Sequence, residues 1–96
     1  MFSVIETEEF SDWLSGIKDR PTRMRLQLRL RKASLGNLGD VKSVGDGVFE
    51  MREFFGPGWR MYYLEQSGAV IFMLGGGDKS SQSKDIKRAI QLAKEL

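Results

Sequence analysis

Between Val48 and Lys79 the chain carries three short runs rich in apolar and aromatic residues, VFEMREFF, WRMYYLEQ and AVIFMLGGGDK, separated by Gly56-Pro57-Gly58 and Ser67-Gly68. Two- and three-residue turns of this kind join adjacent antiparallel strands, so the stretch predicts a three-stranded meander. Successive side chains of a strand point to opposite faces, and the turns set the register. Pairing Phe55 with Trp59 puts Arg52 opposite Tyr62 and Phe54 opposite Arg60. Pairing Gln66 with Ala69 puts Tyr62 opposite Met73. One face then holds Phe49, Met51, Phe55, Trp59, Met61, Tyr63, Val70, Phe72 and Leu74, with Glu53 as its polar exception, and is the expected core side. The other face, with Glu50, Arg52, Phe54, Arg60, Tyr62, Ile71 and Met73, is expected to meet solvent.

The flanks show helical periodicity. Phe2–Glu6 is a strand candidate. Thr7 is placed to cap a helix whose Phe10, Trp13, Leu14 and Ile17 fall at i, i+3, i+4 and i+7. Pro21, after Asp19-Arg20, suits the first turn of a second helix. From Met24 to Arg31 apolar and polar residues alternate as in a strand, yet Arg23–Ala33 holds only good helix formers and no β-branched residue. The segment is assigned as helix over Thr22–Leu35, ending at Gly36-Asn37. Wound so, Leu26, Leu30 and Ala33 share one side and Met24, Leu28 and Leu35 lie nearly opposite, a helix that needs two neighbours. Val41–Val44 is a short strand candidate. Gly75–Gly77 is expected to turn the chain off the sheet. A last helix over Ser81–Leu96, capped by Ser80 or Ser81, carries Ile86, Ala89, Ile90, Ala93 and Leu96 on one face. The expected architecture is α+β: an N-terminal strand and two-helix hairpin packed on an antiparallel meander sheet, with a C-terminal helix, in one domain over residues 1–96.

The chain has 96 residues, enough for one core without covalent staples. No apolar run approaches the ~20 residues that span a bilayer, and Met1-Phe2-Ser3-Val4 lacks the pattern of a secretory leader. The absence of cysteine fits a cytoplasmic protein. The absence of histidine removes the usual neutral-pH base and zinc ligand. No metal or other cofactor is expected. Net charge is only +2, but Arg20–Lys32 carries Arg20, Arg23, Arg25, Arg29, Arg31 and Lys32 with no acid. A local basic surface of this kind suits a polyanion or an acidic protein.

Gly75-Gly76-Gly77-Asp78-Lys79-Ser80 superficially suggests a phosphate loop, but Asp78 stands where the motif requires glycine. The stronger candidate group is Arg52, Arg60, Tyr62 and Lys79. Cleavage of RNA by its 2′-hydroxyl needs a base, a cation for the phosphorane's charge, and an acid for the leaving oxygen. Arginine suits the charge role through its fixed fork of donors. Tyr62, with Phe54, offers a stacking surface for an unpaired base.

Four stretches carry a family resemblance: LGNLGDVK at Leu35–Lys42, FEMR at Phe49–Arg52, FGPGWRMYY at Phe55–Tyr63, and GGDKSSQSKDI at Gly76–Ile86. With the strand–two-helix–sheet order, they resemble RelE/ParE-superfamily toxins of type II toxin–antitoxin modules, in the HigB-like addiction-module branch. Trp59 stands where that branch commonly has tyrosine. The resemblance implies a cytoplasmic toxin neutralised by a cognate antitoxin. It also implies metal-independent, ribosome-dependent endoribonuclease activity on mRNA. Arg60 matches the family's central-strand arginine, and Arg52 falls in a strand that often carries basic site residues. Lys79 and Lys84 match branch-typical positions. Arg60, Arg52, Tyr62 and Lys79 are the catalytic candidates. Arg23, Arg25, Arg29, Arg31, Lys32 and Lys84 are the candidates for RNA binding. The C-terminal Gln91–Leu96 lacks the further catalytic residue of many superfamily nucleases. A ParE-type poison of DNA gyrase or another protein is therefore the alternative, and a non-toxic basic binding module a third.

Overall fold

A computed structural model describes all 96 residues. Its elements are β1 (Ser3–Glu6), α1 (Glu8–Ser15), α2 (Arg20–Ser34), β2 (Val41–Gly45), β3 (Val48–Arg52), β4 (Trp59–Gln66), β5 (Val70–Asp78), a single 3-10 turn (Lys79–Ser81) and α3 (Gln82–Lys94). The five strands form one mixed sheet in the order β1-β5-β4-β3-β2. The last four run as an antiparallel meander, and β1 lies parallel to β5 at the sheet edge. The α+β expectation holds, with the N-terminal strand and two helices and the helix at the C-terminus.

Local chemistry sets the helix starts. The Thr7 hydroxyl accepts from the Phe10 amide and donates to the Met73 carbonyl at 2.7 Å, so one side chain caps α1 and ties it to β5. Asp19 caps α2 by accepting from Thr22 N, and proline occupies the first turn. Good helix formers outweigh the strand-like alternation of Met24–Arg31, and α2 is helical throughout. The final helix starts at Gln82 with Ser81 at its N-cap position, as expected, although the Ser81 side chain makes no capping hydrogen bond. Asp78 caps the preceding 3-10 turn, accepting from Ser80 N at 2.8 Å.

The meander departs from the expected register in two steps. At β3–β4, Arg52 faces Arg60 and Glu50 faces Tyr62, a two-residue shift that keeps every side chain on its expected face. At β4–β5, Gln66 pairs with Val70: the Ala69 amide still donates to the Gln66 carbonyl, while the Ala69 carbonyl accepts from the Ser3 amide. This one-residue slip exchanges the faces of the first half of β5. Ile71 and Met73, expected outside, join the core with Phe10, Leu14, Leu26, Leu30, Met51, Met61 and Tyr63. Leu74, expected with them, packs on the opposite face with Val48, Tyr62 and Ala89. Tyr63 pairs with Met73 and Tyr62 with Gly75, leaving Leu74 as the extra residue of a β-bulge.

The second face is not open to solvent. Helix α3 covers it with Ile86, Ala89, Ile90 and Ala93, while α1 and α2 cover the first. Gly75–Gly77 continue β5 instead of turning the chain away. A Cβ on Gly76 would fall 2.4 Å from the Trp13 ring, and one on Gly77 would fall 1.9 Å from the Asp85 carboxylate. These glycines let helices from both layers press onto the strand. Glu53, the polar residue on the core side, is matched by the Arg29 guanidinium of α2.

Gly76→Ala is expected to destabilise the fold by about 1–3 kcal/mol, the usual cost of overpacking, and to lower the melting temperature accordingly. Trp13→Leu should recover part of that loss in the double variant, because the two sites share one contact. Thermal unfolding of the three variants followed by circular dichroism measures the coupling. Additive losses would show that the ring and the strand do not compete.

Candidate functional site

The β3–β4 hairpin brings the arginines of two strands to one end of the sheet. Arg52 is the last residue of β3 and Arg60 the second of β4, and the two are cross-strand partners. Between them the hairpin projects Phe54, which is 74% exposed. Its ring centroid lies 5.7 Å from the Arg52 guanidinium carbon and 5.8 Å from that of Arg60. Gly58, at φ +81°, allows the chain to fold tightly beside this group. A Cβ there would lie 3.4 Å from Lys79 Cβ and 3.6 Å from Arg60 Nη1, so the start of the Lys79 side chain borders the same corner. The corner therefore combines an exposed aromatic ring, two guanidiniums and an exposed lysine.

The arginines are held differently. Arg52 donates to both oxygens of Asp40, at 3.1 and 3.0 Å, in a forked pair. The Arg52 hydrogen bond holds the Asp40 carboxyl below its ordinary range. Arg60 is only 6% exposed. Its Nη1 donates to the carbonyls of Glu53 and Trp59, at 3.2 and 3.0 Å. Its Nε lies 4.0 Å from the carboxylate of Glu50, itself buried. Gln82, first residue of α3, donates to both Glu50 oxygens at 3.2 and 3.0 Å. The buried guanidinium is thus neutralised within the sheet face and its partner is anchored from the helix above.

Tyr62 shares this face with Arg52 and Arg60 as expected, but α3 seals it from solvent and its hydroxyl has no hydrogen-bond partner. Burial pushes the phenol pKa well up, and the charges of Glu50 and Asp85 push it further, against the pull of Arg60. In this arrangement Tyr62 is a core residue and offers no surface to a base. Phe54 supplies the accessible ring.

The basic positions of α2 divide by role. Arg29 is internal: it donates to the carbonyls of Leu38, Asp40 and Arg52 and pairs with Glu53, fastening α2 to the ends of β2 and β3. Arg23 donates to the Ile17 carbonyl at 2.7 Å, holding the α1–α2 turn. Arg25 lies flat on the Phe55 ring, its guanidinium carbon 3.7 Å from the centroid. Arg31 and Lys32 are exposed. Lys84 is also exposed and, with Lys87, lines a shallow polar cleft with Ser80, Ser81 and Ser83 at the start of α3. No set of three or more acidic side chains is grouped as metal ligands would be.

Asp40 and Gln82 are the site partners that the linear pattern did not reveal, whereas Glu50 lies on the predicted face of Arg60 and pairs with it across the strands. A signal for Glu50 and Gln82 was present: the apolar stripe Ile86–Ala93 requires a sheet face, and the face carrying Glu50, Arg60 and Tyr62 was the free one.

The chain is thus a three-layer α+β domain, one mixed sheet between helices, with a cationic and aromatic corner at the β3–β4 hairpin. No helix is long and apolar enough to cross a membrane. It is 46% identical over 90 residues to an uncharacterized protein of Haemophilus influenzae, covering 94% of this chain and 91% of the relative. The chain belongs to the same family as that protein. No protein-family profile matches it.

Two outcomes test this arrangement. Glu50→Ala leaves Arg60 buried without its carboxylate and should cost about 3 kcal/mol or more, whereas Arg52→Ala breaks a partly exposed pair and should cost under about 1 kcal/mol. Denaturant unfolding of both variants separates the cases, and equal losses would remove the distinction between buried and surface pair. The second concerns alkaline pH. The Tyr62 and Tyr63 phenols are both raised in the fold, each mainly by burial. The stability from keeping them neutral is present below the ordinary tyrosine value and is lost as pH rises above it. Phenolate absorbance should therefore appear together with the loss of near-ultraviolet dichroism. Its appearance at an ordinary tyrosine pH in the folded protein would contradict the burial.

Proposed function

We propose that the chain is the toxin of a type II toxin–antitoxin module, acting in the cytoplasm as a ribosome-dependent, metal-independent mRNA endoribonuclease. The observation that carries this reading is the Phe54 corner, an exposed ring flanked by Arg52 and Arg60 and bordered by Lys79. An unpaired base stacks on Phe54, since ring stacking accepts any base. The phosphate beside it meets the Arg52 guanidinium, with the buried Arg60 contributing charge from behind. As the 2′-hydroxyl attacks phosphorus its proton passes to solvent water, and the 5′-oxygen leaves with a proton from the exposed Lys79 ammonium. The ribosome supplies the alignment of that hydroxyl, so few protein groups are needed. Lys84 and Lys87 extend the positive surface for RNA, and Arg31 and Lys32 remain available on α2. The family resemblance over Leu35–Ile86 supports the toxin class and a neutralising antitoxin as partner.

One observation favours a second reading. Tyr62 is sealed, and the Arg60 guanidinium is already occupied by two carbonyls. A toxin that binds DNA gyrase or another protein through its helices needs neither group, and would poison its target without chemistry.

Induced expression in bacteria, with primer extension on abundant transcripts, tests the two against each other. Wild type should arrest growth and produce new cuts within translated mRNA. Phe54→Ala and Lys79→Gln, both exposed positions, should weaken the cuts tenfold or more while circular dichroism stays native. Arrest without cuts, unaffected by these variants, would favour the protein-target reading.

A further inference from the structure

We infer that the outer face of α2 is a docking surface for an acidic amphipathic helix of a different protein. Met24 and Leu28 stand at i and i+4 on this helix and are 55% and 51% exposed. Their opposite side is satisfied, since Leu26, Leu30 and Ala33 are buried against the sheet. Neither α1 nor any other element covers the outer side. Leu35, just past the helix, continues the stripe and is 65% exposed. Two large apolar residues one turn apart, continued by a third, are the anchor pattern that receives a helix.

The charge around the stripe selects the occupant. Residues 20–34 carry six bases and no acid. Arg25 and Arg31 line the same shallow depression as Met24, Gln27 and Leu28. Arg25 lies over the Phe55 ring at 3.7 Å, which places its charge beside the stripe. A helix with leucines at matching spacing and glutamates on either side would bury the stripe and meet these cations. A second copy presenting the same face would bring Arg25 and Arg31 against the same cations. The chain's own acidic surface is already engaged in part, since Arg88 holds Glu9 in a forked pair. RNA would find fewer cations here than the sequence suggests. Arg23 and Arg29 are spent on internal carbonyls and Glu53, and RNA phosphates would leave Met24 and Leu28 unused. None of this depends on the chemistry of the Phe54 corner.

The test uses the full chain and a designed 18-residue peptide with leucine at i, i+4 and i+11 and glutamate at the flanking positions. A scrambled peptide of the same composition and a single-stranded RNA of the same charge serve as competitors. Fluorescence anisotropy should show binding of the ordered peptide in the micromolar range. Scrambling it, or introducing Met24→Ser with Leu28→Ser, should weaken binding roughly tenfold or more. Both substituted positions are exposed, and circular dichroism checks that the double variant folds. Raising the salt to screen the cations should weaken but not abolish the interaction. Equal affinity for the scrambled peptide, or tighter binding of RNA indifferent to Met24→Ser/Leu28→Ser, would overturn the proposal in favour of a plain polyanion surface. Self-association in sedimentation that Leu28→Ser removes would overturn it in favour of a second copy. Absence of binding to the ordered peptide would also overturn it.

Discussion

The bulge at Leu74 is the constraint on which the sheet's two-sided burial depends. Before it, Ile71 and Met73 of β5 point to α1 and α2. After it, Gly76 passes beneath Trp13 and Gly77 beneath Asp85. Leu74 itself joins Tyr62 and Ala89 under α3. One extra residue thus resets the alternation midway along the longest strand. An unbroken alternation would have sent either the apolar half or the glycine half to the wrong layer. The cost is a locally interrupted ladder, offset by close packing of all three layers.

The same two-sided burial explains the electrostatics of the candidate site. A guanidinium at a solvated face would need no organised partner. Arg60 sits beneath a helix, and burying a charge is costly unless it is paired and hydrogen-bonded. Glu50 supplies the charge, two backbone carbonyls supply acceptors, and Gln82 holds Glu50 in turn. At the open end of the same face Arg52 manages with the partly exposed Asp40 alone. The gradient from sealed to exposed along one face leaves Phe54 as the point where the sheet's chemistry reaches solvent.

Much of this was legible in the sequence. Caps at Thr7 and Asp19, the choice of helix for α2 and its apolar outer side follow from residue chemistry within a few positions. The β3–β4 faces survived a two-residue register error because side-chain alternation has period two. The β4–β5 faces did not survive a one-residue error. That slip falls at Ala69, whose carbonyl bonds to Ser3, a partner from the far end of the chain that no local pattern contains. The glycine run continues the strand instead of turning for a related reason. Glycine weakens a strand on propensity alone, and only the approach of Trp13 and Asp85 makes its missing side chain an advantage. The roles of Arg23 and Arg29 were hidden because a basic run reads as surface until its carbonyl partners are placed.

The parallel pairing of β1 with β5 has a consequence for how the molecule comes into being. The Thr7 hydroxyl that caps α1 reaches a carbonyl 66 residues away, and the edge strand bonds to the same distant segment. During synthesis the N-terminal strand and α1 emerge first and have no sheet to join until Val70–Asp78 follows. Closing so long a loop draws on chain entropy before the contacts return it. The apolar faces of α1 and α2 therefore stay uncovered through most of translation, and the domain completes itself only when nearly the whole chain is available.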